Sequence, residues 1–140
     1  MQNERLWNVS MLMAVITTCG MALFHFVLPF VYGWPPFLLS LPPAIRWGSY
    51  SINFFFSFLL LGGGLLTLIV WRTTDARTMP VGRAVLILMC AFWVANVVYQ
   101  LVLPMPMPRQ WVAARIGLIG FAALSAAAYG ISVYGAGARN

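Results

Sequence analysis

The sequence predicts an all-α integral membrane protein, a bundle of four transmembrane helices, and three observations carry that expectation. Of the 140 residues, 62% are hydrophobic and 7% charged, whereas a soluble domain is about a quarter charged. The mean hydropathy is +0.89. Four apolar stretches, separated by proline-rich or polar breaks, each match the roughly 20 residues that cross a bilayer at about 1.5 Å rise per residue. With their connections they use residues 1–140 as one transmembrane domain, with no length left for a soluble one.

The first span covers about residues 6–32. Its apolar run is longer than the roughly 7–15 residues of a signal-peptide core and no small-residue cleavage site follows it, so it is expected to be retained. From Gly33 to Pro43 stand Pro35, Pro36, Pro42 and Pro43. Each lacks a backbone donor and restrains its neighbour, which forbids a continuous helix. Trp34, Phe37, Leu38 and Leu39 keep the segment apolar, so it is expected as a loop at the bilayer interface.

The second span covers about 45–71 and Arg72 stops it. The most polar stretch of the chain, Arg72 to Thr78, is expected as a solvent loop, after which Pro80 suits the first turn of a helix. The third span covers about 83–103, ended by Pro104, Pro106 and Pro108, and the fourth about 110–134, fraying through Gly135 to Asn140.

All basic residues are Arg. Arg5, Arg72, Arg77, Arg83 and Arg139 fall on one side of the bilayer and Arg46, Arg109 and Arg115 on the other, an excess that predicts cytoplasmic termini and outward-facing proline-rich connections. The net charge of +6 is spread singly between spans, which suits anionic headgroups and argues against nucleic acid as a partner. Cys19 and Cys90 lie within spans, lack CxxC spacing and are expected as small buried hydrophobes. Gly62 to Gly64 in span two, with Gly117, Gly120 and the alanines of span four, mark where helices can approach closely.

Polar groups are costly in hydrocarbon and tend to face a bundle interior. His25 falls in the outer half of span one. Arg46, Tyr50, Asn53 and Ser57 descend span two at spacings that put all four on one face, Trp93, Asn96 and Gln100 do the same on span three, and Arg115 sits about a turn inside span four. The inner half offers chiefly Gly, Ala, Leu, Ile and Val. Two explanations stay open for the outer cluster: a pocket opening outward, with His25, Arg46, Tyr50, Asn53, Trp93, Asn96, Gln100 and Arg115 as ligand-binding candidates, or hydrogen bonds that join the helices at about 0.6 kcal/mol each.

No span contains a carboxylate and the chain has no Lys, which disfavours proton-coupled multidrug exchange and excludes a retinal Schiff base. His25 is the one group whose ordinary titration lies near neutrality. Alone it gives too few ligands for a metal site and no nucleophile accompanies it, so no metal and no catalytic residue is assigned. It suits a hydrogen bond to a quinone carbonyl or a lipid headgroup better than axial ligation of haem. Arg46 suits snorkelling, while the deeper Arg115 suits an anionic ligand, a lipid phosphate or helix-end carbonyls. Met105 and Met107 are weak candidates for Cu(I).

The run Gly20 to Pro43, with His25-Phe26-Val27-Leu28-Pro29 followed by Tyr32 and Leu41-Pro42-Pro43, resembles the first helix and loop of DoxX-like membrane proteins. Phe92 to Tyr99, centred on Asn96, is similar to that family's third-helix signature, and Arg109-Gln110 falls where the family tends to carry Arg and Gln. Asn53, Ser57 or Phe58 stands where the family usually has a second-helix glutamate, and Val94 replaces its usual proline. The resemblance implies a redox-associated subunit, since the family is linked to membrane redox processes including quinone-dependent oxidation of sulfur compounds.

The expected function is thus a small accessory subunit, not an enzyme on its own, whose outward pocket holds a quinone, a lipid or a partner. The alternatives are a membrane-embedded quinone-reactive enzyme and an oligomeric channel or transporter. The expected setting is a bacterial inner (plasma) membrane, with other membrane subunits or further copies of the chain as partners.

Overall fold

The computed structural model describes residues 2–73, 80–104 and 109–137. They form α1 (Gln2–Val31), a short α2 (Trp34–Leu38), α3 (Pro43–Arg72), α4 (Pro80–Val102), a single 3₁₀ turn (Arg109–Trp111) and α5 (Val112–Gly137). Four helical segments, Glu4–Val31, Pro43–Arg72, Pro80–Val102 and Arg109–Ala136, are long and apolar enough to cross a membrane. The chain is therefore an integral membrane protein built as a helical bundle. Each helix begins or ends within a few residues of its expected bounds. The polar loop centred on Asp75 and the Met105 and Met107 pair lie outside the described residues.

Prolines set the ends. Pro43 and Pro80 each occupy the first residue of a long helix, where no N–H is needed. The proline-rich connection is more ordered than expected. Gly33, at φ 58° and ψ 43°, turns the chain left-handed, and Trp34-Pro35-Pro36 then open α2. Prolines are compatible with helix in a first turn, and here the segment continues for five residues before ending.

Long helices alternate in direction. Trp71 Nε1 donates to Asn8 Oδ1 at 3.1 Å at one end of the α1–α3 seam, while Asn53 Nδ2 donates to the His25 carbonyl at 2.8 Å near the other. The start of α1, the end of α3, the start of α4 and the end of α5 thus share one end, the termini end, and the opposite ends of these helices share the other, the proline end, with α2. Around the bundle the order is α3, α1, α5, α4, and the seam closing the ring between α3 and α4 is the shortest. Leu23, Phe30, Phe55, Leu59, Leu88 and Ile116 are among the large apolar side chains turned outward, as lipid contact requires.

At the termini end the helices close on glycine. A Cβ on Gly64 would lie 2.5 Å from Cys19 Sγ and 3.3 Å from the Cys19 backbone nitrogen, and one on Gly63 would lie 2.6 Å from Met89 Sδ. Gly62, Gly117 and Gly120 meet nothing within 4 Å, so close approach falls on Gly63 and Gly64 of α3, and on α5 it falls on Gly135, whose added Cβ would lie 3.0 Å from the Trp7 ring, and not on the expected Gly117 and Gly120.

The termini-side half was expected to be chiefly apolar, and here the structure differs. Ser10, Thr17, Thr18, Thr67, Ser125 and Ser132 are buried within the bundle. Several bond the carbonyl one turn back in their own helix, as Thr17 does to Met13 at 2.9 Å and Ser125 to Phe121 at 2.9 Å. A hydroxyl satisfied in this way is nearly neutral in hydropathy, which hides it among apolar neighbours.

Two of them, Thr18 and Thr67, join Tyr129 and Trp93 in one directed chain across all four long helices. Thr67 donates to the Gly63 carbonyl at 2.8 Å, so its oxygen accepts the Tyr129 proton at 2.9 Å. With that proton spent, Thr18 donates to the Tyr129 oxygen at 3.0 Å. Trp93 Nε1 completes the chain by donating to Thr18 at 3.2 Å. Ser10 and Ser132, 3.0 Å apart, tie α1 to α5 nearer the termini.

Two substitutions test this packing. Tyr129→Phe removes both bonds of the central hydroxyl and should lower stability by about 1 kcal/mol, from roughly 0.6 kcal/mol per membrane hydrogen bond, in a reversible detergent titration followed by circular dichroism. Gly64→Val should cost about 1–3 kcal/mol by overpacking while Gly62→Val stays near the parent; equal effects would refute close approach at Gly64.

Candidate functional site

At the proline end, side chains do the opposite of glycine. His25 and Phe56 meet edge to face, with ring centroids 4.8 Å apart, and Phe56 and Phe92 follow at 6.1 Å, so aromatic rings from α1, α3 and α4 stand in line between these helices. A cavity of about 720 Å³ lies among them, within the range of ligand sites, about 300–1,000 Å³.

Each wall is one face of a helix. Met21, Phe24, His25 and Leu28 come from α1 at helical spacing, and Phe56 and Leu60 from α3. Phe92, Trp93, Asn96, Tyr99 and Gln100 run up α4, continuing to Leu103 and Pro104, and Leu118 and Ala122 come from α5. Tyr32 and Trp34 border it at the proline end, and the rise of α1 from Met21 to Tyr32 makes it about 16 Å deep. Met21, Leu60, Phe92, Trp93, Leu118 and Ala122 form an apolar floor; His25, Asn96 and Gln100 supply polar groups above it.

Among the expected binding residues, the structure thus brings His25, Trp93, Asn96 and Gln100 together. Trp93 is buried, its ring 5.4 Å from Phe92 and 5.8 Å from Phe121, while its nitrogen belongs to the hydroxyl chain. Asn96 and Gln100, one turn apart on α4, are joined by a 2.5 Å bond from Gln100 Nε2 to Asn96 Oδ1.

The other four are not in the lining. Tyr50 packs its ring 6.0 Å from Trp34, behind the cavity wall. Arg46 and Arg115 are half-buried away from the lining, and no charged residue borders the cavity among the described residues. Asn53 has a backbone task. Pro29 lacks the N–H that would bond the His25 carbonyl four residues earlier, and the Asn53 amide bonds that carbonyl in its place. Ser57 donates back to the Asn53 carbonyl at 2.6 Å and is buried beneath it.

Sequence reasoning passed over the aromatic walls. Phe24, Phe56, Phe92 and Tyr99 are ordinary residues in a membrane span, and the available signal was their helical spacing from His25 and Asn96. Tyr32 and Trp34 also border a second hollow of about 350 Å³ with Phe37, Leu38 and Ser49, so both sides of this short connection are open.

No protein-family model matches the chain, and neither a curated protein nor a solved structure gives a significant match. The chemistry of the cavity is therefore that of its own walls: a deep, uncharged, aromatic slot with an amide pair and an imidazole above its apolar floor.

Asn53→Leu leaves the His25 carbonyl without its partner and should cost about 1–3 kcal/mol. Adding Pro29→Ala restores a backbone donor at residue 29 and should recover most of the loss in the same unfolding titration. If the double variant stays as unstable as Asn53→Leu, the backbone role assigned to Asn53 is wrong.

Proposed function

We propose that the chain is a small accessory subunit of a redox-associated membrane assembly, whose cavity holds a flat, lipid-soluble, carbonyl-bearing molecule of the quinone class. One observation carries the reading: the cavity of about 720 Å³ is walled by Phe24, Phe56, Phe92 and Trp93, with the neutral polar side chains of His25, Asn96 and Gln100 in the same lining. Aromatic walls suit a planar ring, whose face they can stack or meet edge-on. An amide or imidazole N–H can bond a carbonyl oxygen, and the absence of charge from the lining favours a neutral ligand over a lipid phosphate. The resemblance of the His25 and Asn96 segments to DoxX-like proteins agrees with a redox setting. The distribution of Arg supports an orientation with both termini in the cytoplasm of a bacterial inner membrane, so that the cavity opens outward and receives ligand from the outer leaflet or from a neighbouring subunit.

Purification in a mild detergent followed by mass spectrometry of extracted lipids tests the reading. Quinone should co-purify with the parent. His25→Gln and Asn96→Leu should each retain about fivefold to tenfold less, the effect of one lost hydrogen bond. Arg115→Gln, remote from the lining, should retain the parental amount. A parent free of quinone, or equal retention in all four proteins, would overturn the proposal.

A further inference from the structure

The α4 wall of the cavity presents a particular inventory of donors and acceptors. Gln100 Nε2 donates to Asn96 Oδ1 at 2.5 Å, and neither amide has another hydrogen bond among the described residues. That leaves the two protons of Asn96 Nδ2 and the second proton of Gln100 Nε2 as donors and Gln100 Oε1 as the acceptor with no proton to answer it. Exchanging nitrogen and oxygen on both amides gives the same result, an N–H donor beside an unspent carbonyl oxygen. Both side chains are half-buried and border the cavity.

A ligand that can only accept answers half of this edge. A quinone carbonyl takes an N–H from the amide pair but leaves the amide oxygen without a proton, and an unanswered polar group in an apolar slot is penalised. A hydroxyl both accepts and donates, so a single O–H bridges the edge by taking the amide N–H and giving its proton to the amide oxygen. His25 does not discriminate, because its neutral ring offers a donor or an acceptor according to tautomer. Nor do the hydroxyls of Tyr32 and Tyr99 in the same lining, each of which donates and accepts, so selection falls to Asn96 and Gln100.

We infer that the site selects a neutral, ring-bearing lipophile that carries a hydroxyl, and so, resting on the quinone-class reading above, holds the reduced quinol in preference to the oxidised quinone. The proteins that would share this cavity are then those that produce or consume a quinol, and the subunit acts as a holding site for the reduced form.

The test is equilibrium binding to the full chain in lipid nanodiscs, under anaerobic conditions, with three probes of one shape: a short-tailed benzoquinol, the matching benzoquinone and the dimethyl ether of the quinol. The quinol should bind about tenfold tighter than either of the others, as one extra hydrogen bond implies. Gln100→Leu, with unchanged helical content, should reduce that ratio to less than about threefold by weakening the quinol alone. The comparison within the parent protein stands even where the variant does not fold. Equal binding of quinol and quinone, or of quinol and ether, overturns the inference and leaves the quinone-class reading intact. Binding of none of the three overturns both.

Discussion

Trp93, Thr18, Tyr129 and Thr67 stand on four different helices and are joined in one direction, from indole N–H to the Gly63 carbonyl. In lipid the apolar surfaces of helices gain little by meeting one another, because the surrounding chains are as apolar as leucine. A buried directed chain of this kind carries more than its energy, since it fixes how each helix is rotated. The cavity follows from that rotation. Met21 and His25 lie three and seven residues beyond Thr18, and Asn96 and Gln100 lie three and seven beyond Trp93. Leu60 precedes Thr67 by seven and Ala122 precedes Tyr129 by seven. These spacings return to one helix face, so the residues above the chain point where the chain points.

Side-chain size then decides where the bundle closes and where it stays open. Gly63 and Gly64 bring α3 against Met89 and Cys19, and Gly135 brings α5 to within about a van der Waals contact of the Trp7 ring. Towards the other end His25, Phe56 and Phe92 stand between helices, and the α3–α4 seam is the shortest in the ring. Rings meeting edge to face keep their centroids several ångströms apart and cannot interdigitate as small residues do. A void at one end and dense packing at the other are thus two results of one distribution of residue size along the helices.

The spans and their breaks were legible because hydropathy and proline act locally, and length alone places four helices across a bilayer. The helical spacing of Asn96 and Gln100, and their depth relative to His25, were legible for the same reason. The hydroxyl chain was not. Thr18, Thr67 and Ser132 score as nearly neutral residues in apolar runs, and what distinguishes them is the partner each finds on another helix, which no single stretch of sequence contains. Asn53 shows the limit from the other side. Its spacing from Tyr50 and Ser57 suggested a ligand-facing stripe, yet its amide is committed to a carbonyl that Pro29 leaves open on a different helix. The pair Pro29 and Asn53 could have been connected only with the α1–α3 register in hand. Arg46 and Arg115 lie outside the cavity lining; Arg46 shares a helix face with Tyr50, Asn53 and Ser57, but that face does not line the cavity, and for Arg115 the sequence made only its depth visible.

Trp93 belongs to both systems, and this divides the cavity mechanically. Its nitrogen is held in the hydroxyl chain while its ring forms part of the floor. Turning the indole to suit a ligand would break the bond to Thr18 and leave a buried donor unmet, so the floor is rigid. The roof is built differently. Gly33 sets α2 at an angle to α1, no residue of α2 is buried, and Trp34 borders the cavity with Tyr50 as its ring neighbour. Segments with few buried contacts adjust at low cost. Ligands of different length would then share one seat for the ring, set by Trp93, Asn96 and His25, and differ in how Tyr32 and Trp34 accommodate what extends above it.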